Sequence, residues 1–319
     1  MSEVENPVDT VVRLLSKNMW VVKEDGSLAS IIASKEWYDR ELFKNYDGQI
    51  TVGLVESRDT KIDMSGRLRR RVGSLRVNVW SQDMLTRQKM VEEVNRIVRQ
   101  NRNKPNETLY YFAGVGQATG THKAYNAGSA TEPTPEHASW NELTHVEYEK
   151  IWYSDDNRYS KSHNVNGEYA LMLFRFKVDS REKTVKKIVL AFEGYGTAPA
   201  GNGVTIKVWN HVTQAWQNAQ NGTGGADETI TITLTSLLTE YIDDSGYVWL
   251  LARTTNPSNG TTPVILYCDY ACCTVTVNGI TYLDIVSYRD ADRVDVKPFI
   301  FRTEFTLKSW SFEDVRGVF

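Results

Sequence analysis

The residues best able to do chemistry include three cysteines, Cys268, Cys272 and Cys273, which lie within six positions of one another. Thiols this close could hold a metal or form a disulfide, but three cysteines cannot all pair within one chain. They occur in the alternating run 267–277, where a small buried side chain is the simpler interpretation. The five histidines are scattered, and none stands beside a cysteine at the spacing of zinc ligands. We therefore predict reduced thiols, folding in the cytosol, and neither metal-binding nor cofactor-binding residues.

A glycine-rich string, Gly114–Gly120, follows a predicted strand and could bring the backbone close to a phosphate, as dinucleotide-binding turns do. Such a turn should open a helix, yet the residues after it carry no apolar stripe, so we predict a flexible loop. The sequence contains no Gly-x-Ser-x-Gly elbow, Walker-type loop, His-Glu-x-x-His helix or EF-hand acid ladder. We predict a protein that is not an enzyme and has no catalytic residues.

The sharpest local charge feature is an arginine cluster that runs into a predicted strand. Guanidinium groups suit both phosphates and the acidic rim of a protein partner. No aromatic residue is interleaved in the run, as single-strand binders require. A protein partner is the favoured interpretation, ahead of a solvated hairpin surface and of DNA. The candidate interface residues are Arg58, Arg67, Arg69, Arg70 and Arg71.

Two turns and three tryptophans could bind small ligands. The oxygen-rich turns Asp155–Asn157 and Asp243–Gly246 have the chemistry of a hard-cation site, although two acids in a turn are also an ordinary turn. Trp209, Trp216 and Trp249 could stack against the C–H face of a sugar, or could simply cover the edge of a sheet. Trp209 and Trp216 are the candidate glycan contacts.

Composition bounds the class of protein. With 319 residues, the chain has enough material for about two domains. Its 41% hydrophobic content is too high for a disordered chain. The net charge of -3 excludes a whole-molecule field that would hold a nucleic acid or an anionic membrane. The start of the chain lacks a signal-peptide pattern and no apolar run reaches about 18 residues, so we expect neither secretion through such a signal nor a membrane span.

Two stretches carry an apolar stripe at helical spacing. The first covers 7–20, with Asn6 as its cap and Pro7 at the first helical position. The second covers about 82–100 and is opened by Ser81, with arginines and glutamates on its other face. These patterns predict two amphipathic helices.

Short alternating runs elsewhere predict strands, separated by turns rich in glycine and asparagine. The composition between about 113 and 139 is poor in aliphatic residues and predicts a loop or linker. The main predicted strands are 49–55, 73–80, 108–112, 169–176, 187–193, 204–209, 229–234, 247–253 and 267–277.

The last predicted strand, 299–312, shows an apolar face and needs a sheet to join. The N-terminal region has only a few strands, so we predict that this strand returns to complete the first domain. The expected division is a discontinuous domain of residues 1–115 plus 280–319, a linker at 116–139, and an inserted β-sandwich at 140–279. Insertion of this kind is tolerated in loops whose ends lie close together.

The discontinuous domain resembles the tail-terminator and neck proteins of tailed viruses. The resemblance rests on Ser57–Arg71, the strand ending at Val79–Trp80, the helix from Met84, and Phe301–Trp310. It implies a small α+β subunit, with two helices on a β-sheet, that forms a ring between the head connector and the tail tube. Such proteins normally lack the middle segment.

That middle segment is similar to jelly-roll modules of viral fibres and of archaeal or bacterial surface proteins. The similarity rests on Val204–Trp216, Tyr241–Val248 and Cys268–Tyr270. It implies a carbohydrate-binding-like fold, although a fold alone does not supply a ligand.

Together these observations predict a virion structural protein that caps the tail tube at the neck and displays the β-sandwich outward. The resemblance implies a ring-shaped homo-oligomer, a hexamer, assembled in the host cytoplasm without a membrane. The expected partners are the tail tube protein and the head–tail connector, with DNA in the lumen and host glycans as further candidates. The alternative is a carbohydrate-binding adhesin or baseplate component, and a glycan hydrolase ranks third.

Overall fold

The structure is a computed structural model that describes residues 3–35, 39–62, 68–292 and 300–314. The chain divides into two units. The first, called here the sheet unit, comprises residues 3–107 and the chain from Asn278 onward. The second, the sandwich unit, comprises residues 108–277. The chain therefore leaves the sheet unit once and returns to it once.

Strands account for 48% of the chain and helices for 14%. The predicted α+β class, with a tail-terminator-like domain of two helices on a sheet, is therefore wrong, and the protein is mostly β. The physical reason is that alternating strands bury most of the apolar surface, while the helical stripes supply a small share of it. The α+β class was what the resemblance to tail-terminator proteins implied, whereas the short alternating runs of the sequence predict strands.

The helices are short except for the first and third. Among the described residues they are α1 (Pro7–Asn18), α2 (Arg40–Phe43), α3 (Met84–Gln100) and α4 (His145–Glu149).

Some strands alternate between buried and more exposed positions, whereas others contain continuous buried runs. In chain order they are β1 (Ile31–Ser34), β2 (Gly48–Lys61), β3 (Leu68–Ser81), β4 (Glu107–Tyr110), β5 (Lys123–Ser129), β6 (Asn141–Glu142), β7 (Tyr159–His163), β8 (Tyr169–Lys177), β9 (Val185–Thr197), β10 (Val204–Asn210), β11 (Ala215–Gly222), β12 (Glu228–Leu234), β13 (Tyr247–Thr254), β14 (Val264–Val277), β15 (Tyr282–Asp290) and β16 (Phe301–Asp314).

The sheet unit contains a five-stranded sheet in the order β1-β2-β3-β16-β15. Strand β16 pairs with β3 along its whole length, from Phe301 opposite Ser81 to Asp314 opposite Leu68. This pairing confirms that the last strand joins the sheet of the N-terminal region. Phe299, which was predicted to begin it, lies outside the described residues.

Helix α1 begins as the sequence predicts. The Asn6 side chain accepts a hydrogen bond from the backbone N–H of Val8, and Pro7 occupies the first turn. Helix α3 differs at its start, because Asp83 and not Ser81 is its cap. The Asp83 carboxylate accepts the backbone N–H of Thr86 at 2.6 Å.

Both helices bury one face in the core of the sheet unit. This core combines side chains of α1 and α3 with inward positions of β2, β3 and β16. Its fully buried members include Val11, Leu15, Val94, Ile97, Ile50, Leu75, Val77, Phe305 and Leu307.

The sandwich unit contains a six-stranded sheet, β11-β10-β13-β8-β5-β6, and a sheet ordered β12-β9-β14-β4, with β7 paired to β14. The predicted β-sandwich is thus confirmed. Its core is filled by inward-facing aromatic and aliphatic side chains of both sheets, including Phe174, Phe176, Leu190, Phe192, Ile206 and Leu250, together with Phe112 from the loop after β4.

All three cysteines are buried on β14 and are unpaired. The interpretation of these thiols as small core side chains is confirmed. Burial raises the pKa of both Cys268 and Cys273 well above the ordinary value of a thiol. The neutral thiol is therefore the form present at neutral pH, and it is a poor nucleophile.

Residues 116–139, predicted as a linker, contain β5, which pairs with β8 from Lys123 opposite Arg175 to Ser129 opposite Tyr169. The strand lacks large aliphatic residues because little space is available for side chains between it and its neighbours. Ala124 is fully buried, and a Cβ added at Gly128 would lie 2.2 Å from the ring of His163. Small residues are required at these positions. Because small residues are also typical of loops, the composition of this segment predicted a linker.

Candidate functional site

Side chains alternate along the six-stranded sheet, so each strand sends every second residue away from the core. On β8, Phe174 and Phe176 point into the core while Leu173 and Arg175 point outward. The outward surface carries a second, smaller aromatic cluster. We call it the aromatic face, and it consists of Tyr125, Trp140, Trp209, Trp216, Tyr247 and Trp249 around Leu173.

Strand register places these side chains in rows across the sheet. In one row, Arg175 lies opposite both Lys123 on β5 and Trp249 on β13. Trp209 lies opposite Trp216 on the neighbouring pair of strands. Basic side chains therefore lie on β5 and β8, the tryptophan pair lies on β10 and β11, and Trp249 on β13 stands between the two groups.

Arg175 lies among aromatic rings. Its guanidinium carbon is 4.3 Å from the ring centroid of Tyr247 and 5.6 Å from that of Trp249. No carboxylate of the described chain forms an ion pair with it. Its Nε is buried without a hydrogen-bond partner, and one terminal nitrogen approaches the Thr121 carbonyl at 3.5 Å. The guanidinium keeps unused donors and an unneutralised charge.

Two tyrosines flank this arginine. The Tyr125 ring stacks on Trp249 with centroids 6.4 Å apart, and the Tyr247 ring lies 6.5 Å from Trp249 at an angle of 54°. Trp249 itself is only 7% exposed, whereas both tyrosines are half-buried. Burial raises the pKa of Tyr125, and the nearby charge of Arg175 opposes this rise. Its hydroxyl is therefore protonated at neutral pH and can donate a hydrogen bond.

At the other end of the face, the segment between β5 and β6, residues 130–140, covers Trp209 and Trp216. We call it the covering segment. Trp209 is 4% exposed and lies 5.0 Å from Trp216. The indole N–H of Trp216 donates to the carbonyl of Pro133 at 3.0 Å. The two predicted glycan contacts do lie on one face together, but they leave little ring surface for a ligand.

Glu132 holds that covering segment in place. Its carboxylate pairs with Lys207 and Arg253, each at 2.7 Å. Burial favours the neutral acid, but the hydrogen bonds and charges of Lys207 and Arg253 outweigh it, so the pKa of Glu132 is lowered. Glu132 is therefore ionised at neutral pH and acts as a clamp on the segment.

Charge on the aromatic face differs in sign from that of the whole chain. Its basic side chains outnumber its acidic ones, whereas the chain carries a net charge of -3. The basic residues are Lys123, Arg175, Lys177, Lys207 and Arg253, and the acidic ones are Glu132 and Glu142.

Sequence patterns predicted Trp209, Trp216 and Trp249 as candidates. They missed Tyr125, Trp140, Arg175 and Tyr247. These four are separate in sequence and become neighbours only through strand register. Alternation along β8 and β13 shows which side chains point outward. It does not show which of them lie opposite each other.

The arginine cluster lies at the β2–β3 hairpin of the sheet unit. Arg71 pairs with Asp59 at 2.8 Å, and the exposed Arg58 pairs with Glu56. Arg70 is exposed and Arg69 is half-buried. Arg67 lies outside the described residues.

The glycine-rich string and one of the two acidic turns form a common loop and a common turn, whereas the other acidic turn does not. Gly114–Gly120 forms a loop with no helix after it, as predicted. In the Asp243–Gly246 turn, the Asp243 carboxylate accepts the backbone N–H of Tyr247 at 2.7 Å, which is a common turn contact. The exception is Asp156, whose carboxylate lies beside those of Asp227 and Asp269.

The fold and this face define the sandwich unit as a β-sandwich with an aromatic, positively charged outer surface. Residues 119–277 match the family model AF_1625_C, described as "Uncharacterized protein, C-terminal domain". No curated protein matches the chain. Among the described residues, none of the helices combines the length and the apolar character needed to cross a bilayer.

Three solved structures match the chain at low similarity. A xylan-binding module, CBM15, is 11% identical, with a TM-score of 0.31, over 54% of this chain and 98% of the module. An enzymatically active domain of tailspike protein 4 of bacteriophage CBA120 is 10% identical, with a TM-score of 0.23, over 53% of this chain and 19% of that one. Broad bean stain virus gives 6% identity and a TM-score of 0.17 over 65% of this chain and 87% of the viral one. Scores this low do not assign a function.

Proposed function

We propose that the sandwich unit binds a carbohydrate on the aromatic face. The observation that carries this proposal is the position of Arg175, whose guanidinium lies against Tyr247 and Trp249 without an ion-pair partner in the described chain. A sugar offers an apolar C–H surface and a ring of hydroxyl groups, so it needs aromatic and polar contacts side by side. This face supplies both.

The binding end of the face is the one that the covering segment leaves accessible. There the half-buried rings of Tyr125 and Tyr247 are available to pack against a sugar. Lys123 and Glu142, paired at 2.7 Å, lie next to them and can exchange hydrogen bonds with hydroxyl groups. The Trp249 ring stacks on Tyr125 and lies tilted against Tyr247, so it supports both tyrosine rings.

The excess of basic side chains favours an acidic sugar. A guanidinium group binds a carboxylate through two parallel hydrogen bonds, which is stronger and more directional than a contact with a neutral hydroxyl. One terminal nitrogen of Arg175 donates to the Thr121 carbonyl, and its other donors have no partner among the described residues. Lys177 lies 5.3 Å from the Tyr247 ring beside it. We expect uronic-acid or similar acidic saccharides to bind more tightly than neutral ones. The proposed role is binding, and no reaction is part of it.

A glycan array probed with the full chain tests this function, followed by affinity electrophoresis on the retained glycans. Arg175→Gln should weaken binding by about tenfold or more, because one charge-assisted pair contributes roughly 1.5–3 kcal/mol. The matched control is Lys187→Gln, which removes a positive charge from β9 on the other sheet. Retention of no glycan, or equal binding by the Arg175→Gln variant, would contradict the proposal.

We also propose that the sheet unit makes assembly contacts through the outer edge of β2. Strand β1 pairs only with Gly48–Thr51, so the rest of this edge has no strand beside it among the described residues. Val55 on this edge is 54% exposed and Ile62 is 49% exposed. An open edge with exposed apolar side chains and arginines favours pairing with another protein. The virion, the ring and the tail-tube and connector partners stay predictions.

Light scattering over a range of protein concentrations tests the assembly proposal. Val55→Lys should shift the chain towards monomer, because a charge on an edge strand opposes pairing. Val212→Lys is the control, since Val212 is 70% exposed in the sandwich unit. A wild-type chain that stays monomeric at every concentration would exclude self-assembly through this edge.

A further inference from the structure

Strand β14 carries a bulge at Asp269. Cys268 lies opposite Gly194 and Tyr270 lies opposite Glu193, so Asp269 is the extra residue on its strand. A bulge turns one side chain out of the normal alternation, and bulges are common beside functional sites. At this bulge the side chain of Asp269 is buried, with only 1% of the residue exposed.

Two further carboxylates from distant parts of the chain meet Asp269. Asp156 lies in the turn before β7, and Asp227 lies directly before β12. One ligand oxygen of each residue lies within 4.8 Å of the others. Asp156 has a backbone φ of +66°, a left-handed conformation that aspartate tolerates better than most residues.

Three of the oxygens of this cluster lack hydrogen bonds. Both carboxylate oxygens of Asp269 and Oδ1 of Asp227 are buried, and none accepts a hydrogen bond from the described residues. Buried polar atoms are almost always paired, so three orphaned oxygens in one place need an explanation. Backbone N–H groups of Asp155 and Asp156 lie near Asp269 and favour its ionised form, but they do not reach hydrogen-bond geometry.

One cation of the protein already lies at the cluster. Arg158 donates to Oδ2 of Asp227 and, at 2.6 Å, to Oδ1 of Asp156. Arg158 forms no hydrogen bond with Asp269 or with Oδ1 of Asp227, so these oxygens have no cationic partner among the described residues. The carboxylate of Glu193 adds negative charge nearby and, after burial, is among the causes that raise the pKa of Asp269. One guanidinium therefore faces an excess of carboxylates.

We propose that Asp156, Asp227 and Asp269 bind one Ca²⁺ ion. Calcium takes six to eight oxygen ligands at about 2.3–2.6 Å, so two ligands on opposite sides of one ion lie about 5 Å apart. The separation of the three ligand oxygens fits this limit. Carboxylates from two turns and a bulge suit the flexible geometry of calcium better than the strict octahedron of magnesium. The ion would join three chain segments of the sandwich unit.

Titration of the full chain with CaCl₂ after treatment with EGTA tests this site. Calorimetry should report one ion per chain. The unfolding temperature of the sandwich unit should rise by about 5–10 °C when calcium is in hundredfold excess over its dissociation constant. Asp269→Asn should abolish both effects. Asp244→Asn is the control, because it neutralises an exposed carboxylate in another acidic turn of the same unit.

The stability of Asp269→Asn in EGTA and in calcium shows whether Asp269 is a metal ligand or only a structural carboxylate. In EGTA, Asp269→Asn should be at least as stable as the wild type, because it removes an uncompensated buried charge. In calcium it should be less stable than the wild type. If Asp269→Asn does not fold, the exposed Asp156→Asn variant replaces it and should weaken calcium binding by about tenfold.

Three results would overturn the proposal. The first is a wild-type chain that takes up no calcium at millimolar concentration. The second is unchanged calcium affinity in a folded Asp156→Asn or Asp269→Asn variant. The third is tighter binding of Mg²⁺ than of Ca²⁺, which would reject the assignment of the ion.

Discussion

Arg175 and Asp269 are the two residues whose surroundings are least expected for their chemistry. Arg175 is a cation that lies against aromatic rings, and Asp269 is a buried anion with no hydrogen bond in the described chain. Burying a charged group without a partner is costly. A bound ligand can supply the missing partner. We infer a sugar for the first residue and a calcium ion for the second.

Glu132 offers a test at the residue scale. Glu132→Gln should destabilise the sandwich unit by about 2 kcal/mol, because Lys207 and Arg253 lose their shared carboxylate. Urea unfolding followed by tryptophan fluorescence measures this loss. Lys187→Gln is again a suitable control. An unchanged midpoint would show that the clamp adds no stability.

The same residue predicts a pH dependence. The pKa of Glu132 is lowered in the folded protein from an ordinary value of 4.5. Its contribution to stability is therefore fully present above pH 4.5 and is lost as the pH falls through the lower folded value. The difference in unfolding free energy between wild type and Glu132→Gln should shrink on acidification below pH 4.5. A difference that stays constant down to pH 3 would contradict this assignment.

A buried ion pair in the sheet unit gives a second stability test. The Arg13 guanidinium on α1 donates to both oxygens of Glu5, at 2.6 and 2.7 Å. Glu5→Gln alone should cost about 3–5 kcal/mol, because it leaves the Arg13 charge buried. A Glu5→Leu, Arg13→Met double variant should recover much of that loss. Equal destabilisation by the single and double variants would argue against a charge effect.

At the scale of elements, space rather than propensity decides where β5 forms. Gly128→Ala should cost about 1–3 kcal/mol, because the new Cβ would overlap the ring of His163. Gly53→Ala on β2 is the matched control, since nothing lies within 4 Å of a Cβ there. Equal unfolding midpoints for the two variants would show that β5 shifts to make room.

The elements also show what periodicity can and cannot predict. Alternation identified β8, β10, β12 and β13, and helical stripes with their caps identified α1 and α3. The α+β class that the resemblance implied is wrong, because strands outweigh helices in a mostly β chain. Strand β5 was missed since its small residues carry no apolar pattern.

At the scale of the whole molecule, β16 is the element on which the sheet unit depends. It lies between β3 and β15 in the sheet, and Phe305 and Leu307 are fully buried in the core. A chain that ends at residue 299 should lose cooperative unfolding of the sheet unit, because the remaining strands would have unpaired edges. Calorimetry should still show the transition of the sandwich unit.

The complementary deletion tests the independence of the sheet unit. A chain that lacks residues 108–277, joined by a flexible Gly/Ser linker, should fold because its hydrophobic core comes entirely from the remaining segments. Circular dichroism and thermal unfolding measure this. An unfolded product would show that the sheet unit requires the sandwich unit.

Residue spacing along the chain was enough to predict the alternating strands, the start of α1 at Asn6 and Pro7, the buried cysteines and the need of the last strand for a sheet. These features depend on local spacing, which a chain carries whatever its tertiary fold. The position of Arg175 against the rings of Tyr247 and Trp249 depends on how distant strands pair. Only the bulge in β14 brought Asp269 to Asp156 and Asp227. Register and bulges follow from the packing of distant strands, so no local pattern records which side chains will meet.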